Sequence, residues 1–197
     1  MFKIRWILKC VFIGLLCFSA SASAGLRWER FVGVDLYTGP TLVTGQFSDQ
    51  KNPNSYGFSL NVFLQSLQDV DFPSYMSIGN YNFSMVSRDP SFPFPLDQSV
   101  HFSTNFMSIM ASVYSTHNWG LYVGVGYSII SLLNEDKEKF VQRYGSEQYE
   151  FQARYRINDR WGVNYRTQWQ QINQFQSGTF SFIEMWSHFL GVSYVVF

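Results

Sequence analysis

Four stretches of the chain alternate apolar and polar side chains with the period of two that a β-strand imposes. In 56–64, Tyr56, Phe58, Leu60, Val62 and Leu64 share one face, against Gly57, Ser59, Asn61 and Phe63. In 119–129, Leu121, Val123, Val125, Tyr127 and Ile129 oppose Gly120, Tyr122, Gly124, Gly126 and Ser128. In 149–157, Tyr149, Phe151, Ala153, Tyr155 and Ile157 oppose Glu150, Gln152, Arg154 and Arg156. In 161–169, Trp161, Val163, Tyr165, Thr167 and Trp169 oppose Gly162, Asn164, Arg166 and Gln168.

Four weaker stretches complete a set of eight. Segment 26–37 places Val32, Val34 and Leu36 opposite Gly33 and Asp35. Segments 74–87 and 99–114 are long enough for strands but mixed in pattern. In 183–197, Leu190, Val192, Tyr194 and Val196 form the more apolar face, while the terminal Phe197 belongs to the opposite one. Long connections at 38–55, 88–98, 132–147 and 172–182 alternate with short ones at 67–73, 115–118 and 158–160. That asymmetry fits an even-stranded barrel with long loops at one end and tight turns at the other. Asn158-Asp159-Arg160 and Thr116-His117-Asn118 suit such turns by their Asn and Asp content.

The chain start adds a destination. Residues 1–24 have the form of a cleavable signal peptide: basic Lys3, Arg5 and Lys9, an apolar run over 11–18, and Ala22-Ser23-Ala24 before Gly25. The run falls short of the roughly 20 residues a spanning helix needs. Cys17 follows Leu15-Leu16 rather than a small residue, which disfavours a lipoprotein. Both cysteines, Cys10 and Cys17, lie in this segment, so residues 25–197 hold none and neither disulfides nor thiol catalysis are expected there.

Charge and composition narrow the class further. The 14 basic residues match 14 acidic ones, so losing three basic residues with the signal leaves a mature charge of −3 and no basic patch for nucleic acid. Aromatics are abundant, as rings at two membrane interfaces would require. Mean hydropathy is −0.08, low for a helical membrane protein and natural where only alternate residues meet lipid. A soluble sandwich or lipocalin-like barrel also alternates, but it turns charge outward and apolar side chains inward. Here the polar face carries Arg and Glu, and the apolar face carries Tyr and Trp. The expectation is an all-β, eight-stranded antiparallel transmembrane β-barrel over 25–197, in the outer membrane of a Gram-negative bacterium. Its partners are then outer-membrane lipid, lipopolysaccharide included, and the barrel-assembly machinery; oligomeric state is left open.

A lumen of eight strands is just wide enough for its own side chains. Arg154, Arg156 and Arg166 are expected to point inward and pair with Glu150, Asp35 and Glu184, with Gln168 beside them, because buried charge is costly unless paired. A structural plug is favoured over a polar pathway. Gly124 and Gly126 relieve crowding in the fifth strand. In 132–147 the charges from Glu135 to Lys139 read as a solvated loop, and Phe140, Val141 and Tyr144 as an amphipathic turn on the outer leaflet. Pro90, Pro93 and Pro95 with Phe92 and Phe94 make 88–98 a stiff loop anchoring the rim.

Candidate chemistry is sparse. His101, His117 and His188 are scattered, and no spacing matches a metal site, so no metal or cofactor is expected. His101 and Ser103 share one face of a strand, a base–nucleophile pair if a carboxylate orients the imidazole.

One region carries a family resemblance. Tyr155-Arg156-Ile157-Asn158-Asp159-Arg160-Trp161-Gly162, with Tyr165-Arg166 and the closing Gly191-Val192-Ser193-Tyr194, resembles the lipid A 3-O-deacylase (acyloxyacyl hydrolase) family. The resemblance implies an eight-stranded outer-membrane barrel that removes an ester-linked acyl chain from lipid A. After the Tyr-Arg pair that family carries His-x-Ser-Asn, with a Glu beyond the next loop. Here Trp169, Gln171 and Ile172 stand at the His, Ser and Asn positions, and Glu184 near that of the carboxylate. The resemblance therefore implies a copy without this hydrolytic centre. Three classes remain: a non-enzymatic barrel with a structural, lipid-contacting or loop-mediated role, which is favoured; a lipid esterase using His101 and Ser103; and a narrow channel.

Overall fold

The computed structural model describes residues 32–45, 53–64, 74–86, 99–116, 118–133, 140–176 and 179–196. The expected signal segment 1–24, the whole proline-rich loop 88–98 and the terminal Phe197 lie outside them. Eight strands follow in chain order: β1 Val32–Gly45, β2 Asn54–Leu64, β3 Ser74–Val86, β4 Ser99–Ser115, β5 Trp119–Leu133, β6 Phe140–Arg156, β7 Trp161–Gln176 and β8 Thr179–Val195. Each is antiparallel to the next, and β8 pairs with β1, so the sheet closes and leaves no edge.

The register sets the tilt. A path taken square across the strands from Gly33 runs through Asn61, Ser77, Ser108, Gly126, Gln148, Gln170 and Met185. It meets β1 again at Val43, an offset of 43 − 33 = 10 residues in one circuit. Eight strands with that offset lean about 40° from the barrel axis, so each strand crossed climbs about 3 Å.

On this geometry the outward aromatics fall into two rings. Near the strand termini lie Trp119 against Tyr155 and Trp161 against Tyr194, with centroids 4.9 and 4.8 Å apart. Farther along lie Tyr149 against Trp169 at 5.4 Å and Trp169 against Trp186 at 6.2 Å. The rings stand about 20 Å apart along the axis. Between them the outer surface carries Leu36, Leu60, Ile78, Ile109, Val125, Val163 and Val192, all substantially exposed. This is the apolar band and double aromatic girdle that a barrel shows to a bilayer.

Beyond the second ring the pattern turns over. On β3, Met76 and Ile78 face out and Ser77 faces in; past Gly79, Asn80, Asn82 and Ser84 face out while Tyr81, Phe83 and Met85 are buried. β4 mirrors it, with Met107 and Ile109 outward around Ser108, then His101, Ser103 and Asn105 outward against Val100, Phe102 and Phe106. Ile130 and Leu132 of β5, Ile172 of β7 and Ile183 and Met185 of β8 join the same buried cluster. The far end of the barrel is thus packed like a soluble protein, apolar inside and polar outside, while the near part is inverted.

That reversal corrects several expectations. The strands do not stop where the apolar-out pattern stops. β1 runs on to Gly45, β5 ends at Leu133 with β6 resuming at Phe140, and only 177–178 separate β7 from β8. Much of the supposed loops 38–55, 132–147 and 172–182 is therefore strand, and the long–short alternation of connections largely disappears. Phe140, Val141 and Tyr144 lie on β6 rather than on an amphipathic turn, and Tyr144 packs against the buried apolar cluster.

Candidate functional site

The inner face of the near part gathers charge. Arg166 on β7 and Glu150 on β6 are both wholly shielded, with Nε 2.8 Å from Oε1 as an ion pair. Arg166 also donates through its two terminal nitrogens to Ser59 Oγ at 3.1 Å and Ser77 Oγ at 3.0 Å. Its guanidinium lies 5.2 Å from the Tyr37 ring centroid and 5.4 Å from that of Phe106. Both rings sit over glycines. A Cβ on Gly57 would come within 2.7 Å of the Tyr37 ring, and one on Gly79 within 2.7 Å of Phe106. The glycines let the aromatics lie flat enough to clasp the cation.

A second pair lies closer to the strand termini. Arg154 donates to Asp35 Oδ2 at 2.5 Å, and Gln152 adds a bond to the same oxygen at 3.3 Å. Asp35 is 3.8 Å from Arg166, which links the two pairs. Glu150 Oε2 accepts from Ser108 at 3.0 Å, Gln148 at 3.1 Å and Gln168 at 3.3 Å. Two carboxylates thus balance two guanidiniums, and neutral amides and hydroxyls bond Glu150 Oε2, Asp35 Oδ2 and the Arg166 terminal nitrogens, while Asp35 Oδ1, Arg154 Nε and Gln168 Oε1 have no hydrogen-bond partner among the described residues. Above this layer, Tyr81 donates to Gln170 at 3.0 Å and Gln170 to Gln148 at 2.6 Å. The apolar cluster closes the far end. Tyr75, Met110 and Tyr122 form a separate buried cluster toward the near end.

Asp35, Glu150, Arg154, Arg166 and Gln168 therefore meet in one network. Arg156 and Glu184 do not, which corrects their expected place. Arg156 pairs with Asp159 and donates to the Asn158 carbonyl at 3.2 Å, in the turn between β6 and β7. Asn158 organises that turn, accepting from the backbone N–H of Arg160 and Trp161, both at 2.9 Å. Glu184 alternates with the buried Ile183 and Met185, and so lies on the outer face opposite Gln171. The facing of the last strand, ambiguous in the sequence, is settled by pairing on both sides: Leu190, Val192 and Val196 face out.

A second polar group, unread in the sequence, lies on the outer face. Asn80 donates to Ser103 Oγ at 3.2 Å and to Asn105 Oδ1 at 3.0 Å, and accepts from Asn82 at 2.6 Å. Ser84 and His101 Nδ1 are hydrogen-bonded across the same strand pair. His101 and Ser103 do share the outer face, but the imidazole bonds Ser84, and no described carboxylate is bonded to it. Among the described residues no cluster of His, Cys, Asp or Glu could hold a metal ion.

No protein-family model matches the chain, and no curated protein is similar to it. Solved structures are. Neisserial surface protein A matches with a TM-score of 0.59 at 12% identity, over 84% of this chain and 96% of its own. The N-terminal β-barrel domain of Pseudomonas aeruginosa OprF gives 0.54 at 13% identity, over 85% and 99%. Ail, the attachment invasion locus protein of Yersinia pestis, solved with the heparin analogue sucrose octasulfate, gives 0.53 at 10% identity, over 85% and 99%. At these identities the likeness is one of fold: an eight-stranded closed antiparallel barrel of the outer-membrane type.

Proposed function

We propose that this chain is a non-enzymatic barrel of a Gram-negative outer membrane that works through its surface, in a structural, lipid-contacting or loop-mediated binding role. The observation that carries this reading is the filled lumen. Arg166 is 0% exposed and held by Glu150, Ser59, Ser77, Tyr37 and Phe106, and the apolar cluster lies across the far end. A side chain bonded on every side leaves no room for a solute to follow the axis. The outward apolar band between two aromatic rings supports a bilayer as the surroundings, and the likeness to outer-membrane barrels supports which bilayer.

The finer reading, a lipid A 3-O-deacylase relative, finds no base or nucleophile at the positions that resemblance assigns. Trp169 and Gln171 lie on the outer face with Glu184 opposite Gln171, and Ile172 is buried in the apolar cluster. An indole and an amide activate no water and attack no ester. The first experiment is single-channel recording of the refolded barrel in a planar bilayer. A flat baseline is expected; reproducible unitary steps overturn the sealed reading. Mass spectrometry of lipid A from expressing cells tests the other side, with an unchanged spectrum expected and the loss of one hydroxyacyl chain decisive against it.

A further inference from the structure

The outward polar group on β3 and β4 stands at the distal edge of the apolar band. Following the tilt of the strands, Asn80, Asn82 and Asn105 are level with Tyr56, Tyr149, Trp169 and Trp186, the ring that marks the distal edge of the apolar band. Ser84 and Ser103 lie about 5 Å farther out, and His101 about 10 Å. At that level β2 shows Tyr56 and Phe58 on one side, and β5 shows Tyr127 and Ile129 on the other, all exposed. The polar patch is therefore walled by apolar surface at the plane where acyl chains give way to headgroups.

Its internal bonds do not satisfy it. Asn80 spends its amide on Ser103 and Asn105 and its carbonyl on Asn82. The Asn82 carbonyl, the Asn105 amide N–H and His101 Nε2 have no bonded side-chain partner among the described residues. Unbonded carboxamides held at that plane between apolar side chains are met better by a lipid that supplies both donors and acceptors there than by one that does not.

We infer that this patch seats the acyl-amide and hydroxyl groups of an outer-leaflet glycolipid built on an N-acylated amino sugar, the chemistry of the lipopolysaccharide anchor. The inference rests on the outer-membrane reading above and goes beyond it in naming the residues and the lipid. The patch holds no Lys, Arg, Asp or Glu, so it is not a phosphate clamp. It offers carboxamides and hydroxyls, which pair reciprocally with an amide N–H, an amide carbonyl and a hydroxyl. A glycerophospholipid offers ester carbonyls at this depth and no amide donor.

Native mass spectrometry of the detergent-solubilised barrel, titrated with purified lipid A or with phosphatidylethanolamine, tests it. The wild type is expected to retain lipid A in preference. The variant carrying Asn80→Leu, Asn82→Leu and Asn105→Leu should retain about tenfold less lipid A, as for the net loss of two hydrogen bonds, and bind phosphatidylethanolamine as before. Thr167→Leu, an outward polar position on β7, should change neither. Heat-modifiable gel migration reports folding, and Asn82→Ala with Asn105→Ala serves if the triple variant does not fold. Equal retention of the two lipids by the wild type, or undiminished lipid A binding by the folded variants, overturns the inference. So does fatty-acid release from lipid A that is lost in His101→Ala, which would make the patch hydrolytic. Channel activity, read separately, bears on the sealed lumen and not on this patch.

Discussion

Arg166 and Glu150 meet at 2.8 Å on adjacent strands with neither side chain exposed at all. Their pairing follows from the register, which sets Arg166 beside Gln152 and Glu150 beside Gln168, so the two charges reach diagonally across one rung. Around them the aromatic faces of Tyr37 and Phe106 replace water. Such a pair is a poor source of net stability but a severe liability once one member is lost.

Arg166→Met should therefore destabilise the barrel by about 3–5 kcal/mol, leaving Glu150 buried and unpaired. Adding Glu150→Gln should restore most of the loss. Equilibrium unfolding in guanidinium, with the barrel folded into lipid vesicles, measures both. An additive double variant would show that the pair is not coupled.

The glycines under the clasping rings make a separate prediction. Gly79→Ala would place a methyl 2.7 Å from Phe106 and 2.4 Å from the Phe58 carbonyl. A cost of about 1–3 kcal/mol is expected for overpacking of this kind. Trimming the ring by Phe106→Leu in the same chain should recover part of it, which unfolding midpoints would register.

The reversal of pattern along β3 predicts opposite tolerance at two outward positions. Ile78 lies near the middle of the apolar band, and Ile78→Lys should cost about 2–4 kcal/mol. Ser84, six residues on and past the second ring, should accept Lys at about 0–1 kcal/mol. Equal penalties in vesicle-folded protein would mean that the strand does not leave the bilayer between them.

At the near end, Asn158→Ala removes an acceptor from two turn amides, those of Arg160 and Trp161. A loss of about 1 kcal/mol is expected, small beside that of Arg166→Met. Arg156→Ala in the same turn should cost less than about 1 kcal/mol, since its partner Asp159 is exposed.

The strands legible in the sequence are those whose apolar face stays on one side over a long run before the sense changes. In 56–64 and 161–169 all residues but Phe63 and Thr167 obey one alternation, and β2 and β7 contain them. β3 and β4 read as mixed because the period of two continues while its sense changes, so a face averaged over the strand cancels. Ser77 and Phe83 share a face, yet one meets Arg166 and the other stacks on Phe102 at 4.6 Å. Of the lumen network, Glu150, Arg154 and Arg166 are visible as inward charges on clean strands, and Asp35 on a weaker one. Ser59, Ser77 and Ser108 are not, because a serine opposite an arginine is recognisable only once the register is known. The same holds outside: His101 and Ser103 announce themselves by spacing, whereas Ser84 reaches His101 only across a strand boundary. Glu184 was misplaced because the pattern changes sense between Met185 and Ser187, where the facing of the last strand had to be judged.

The place where the pattern turns over also holds the molecule at one depth. Sliding the barrel inward by a few residues would drive Asn80, Asn82 and Asn105 into acyl chains; sliding it outward would bare Phe58 and Met107 to water. Both penalties act at once on several strands, so the protein is a stiff gauge of the leaflet around it. A bilayer thicker than the span between its aromatic rings has to thin at the protein wall, at a cost that grows with each ångström of mismatch. Membranes of different thickness would then sort these barrels, or gather them, without any contact between one chain and the next.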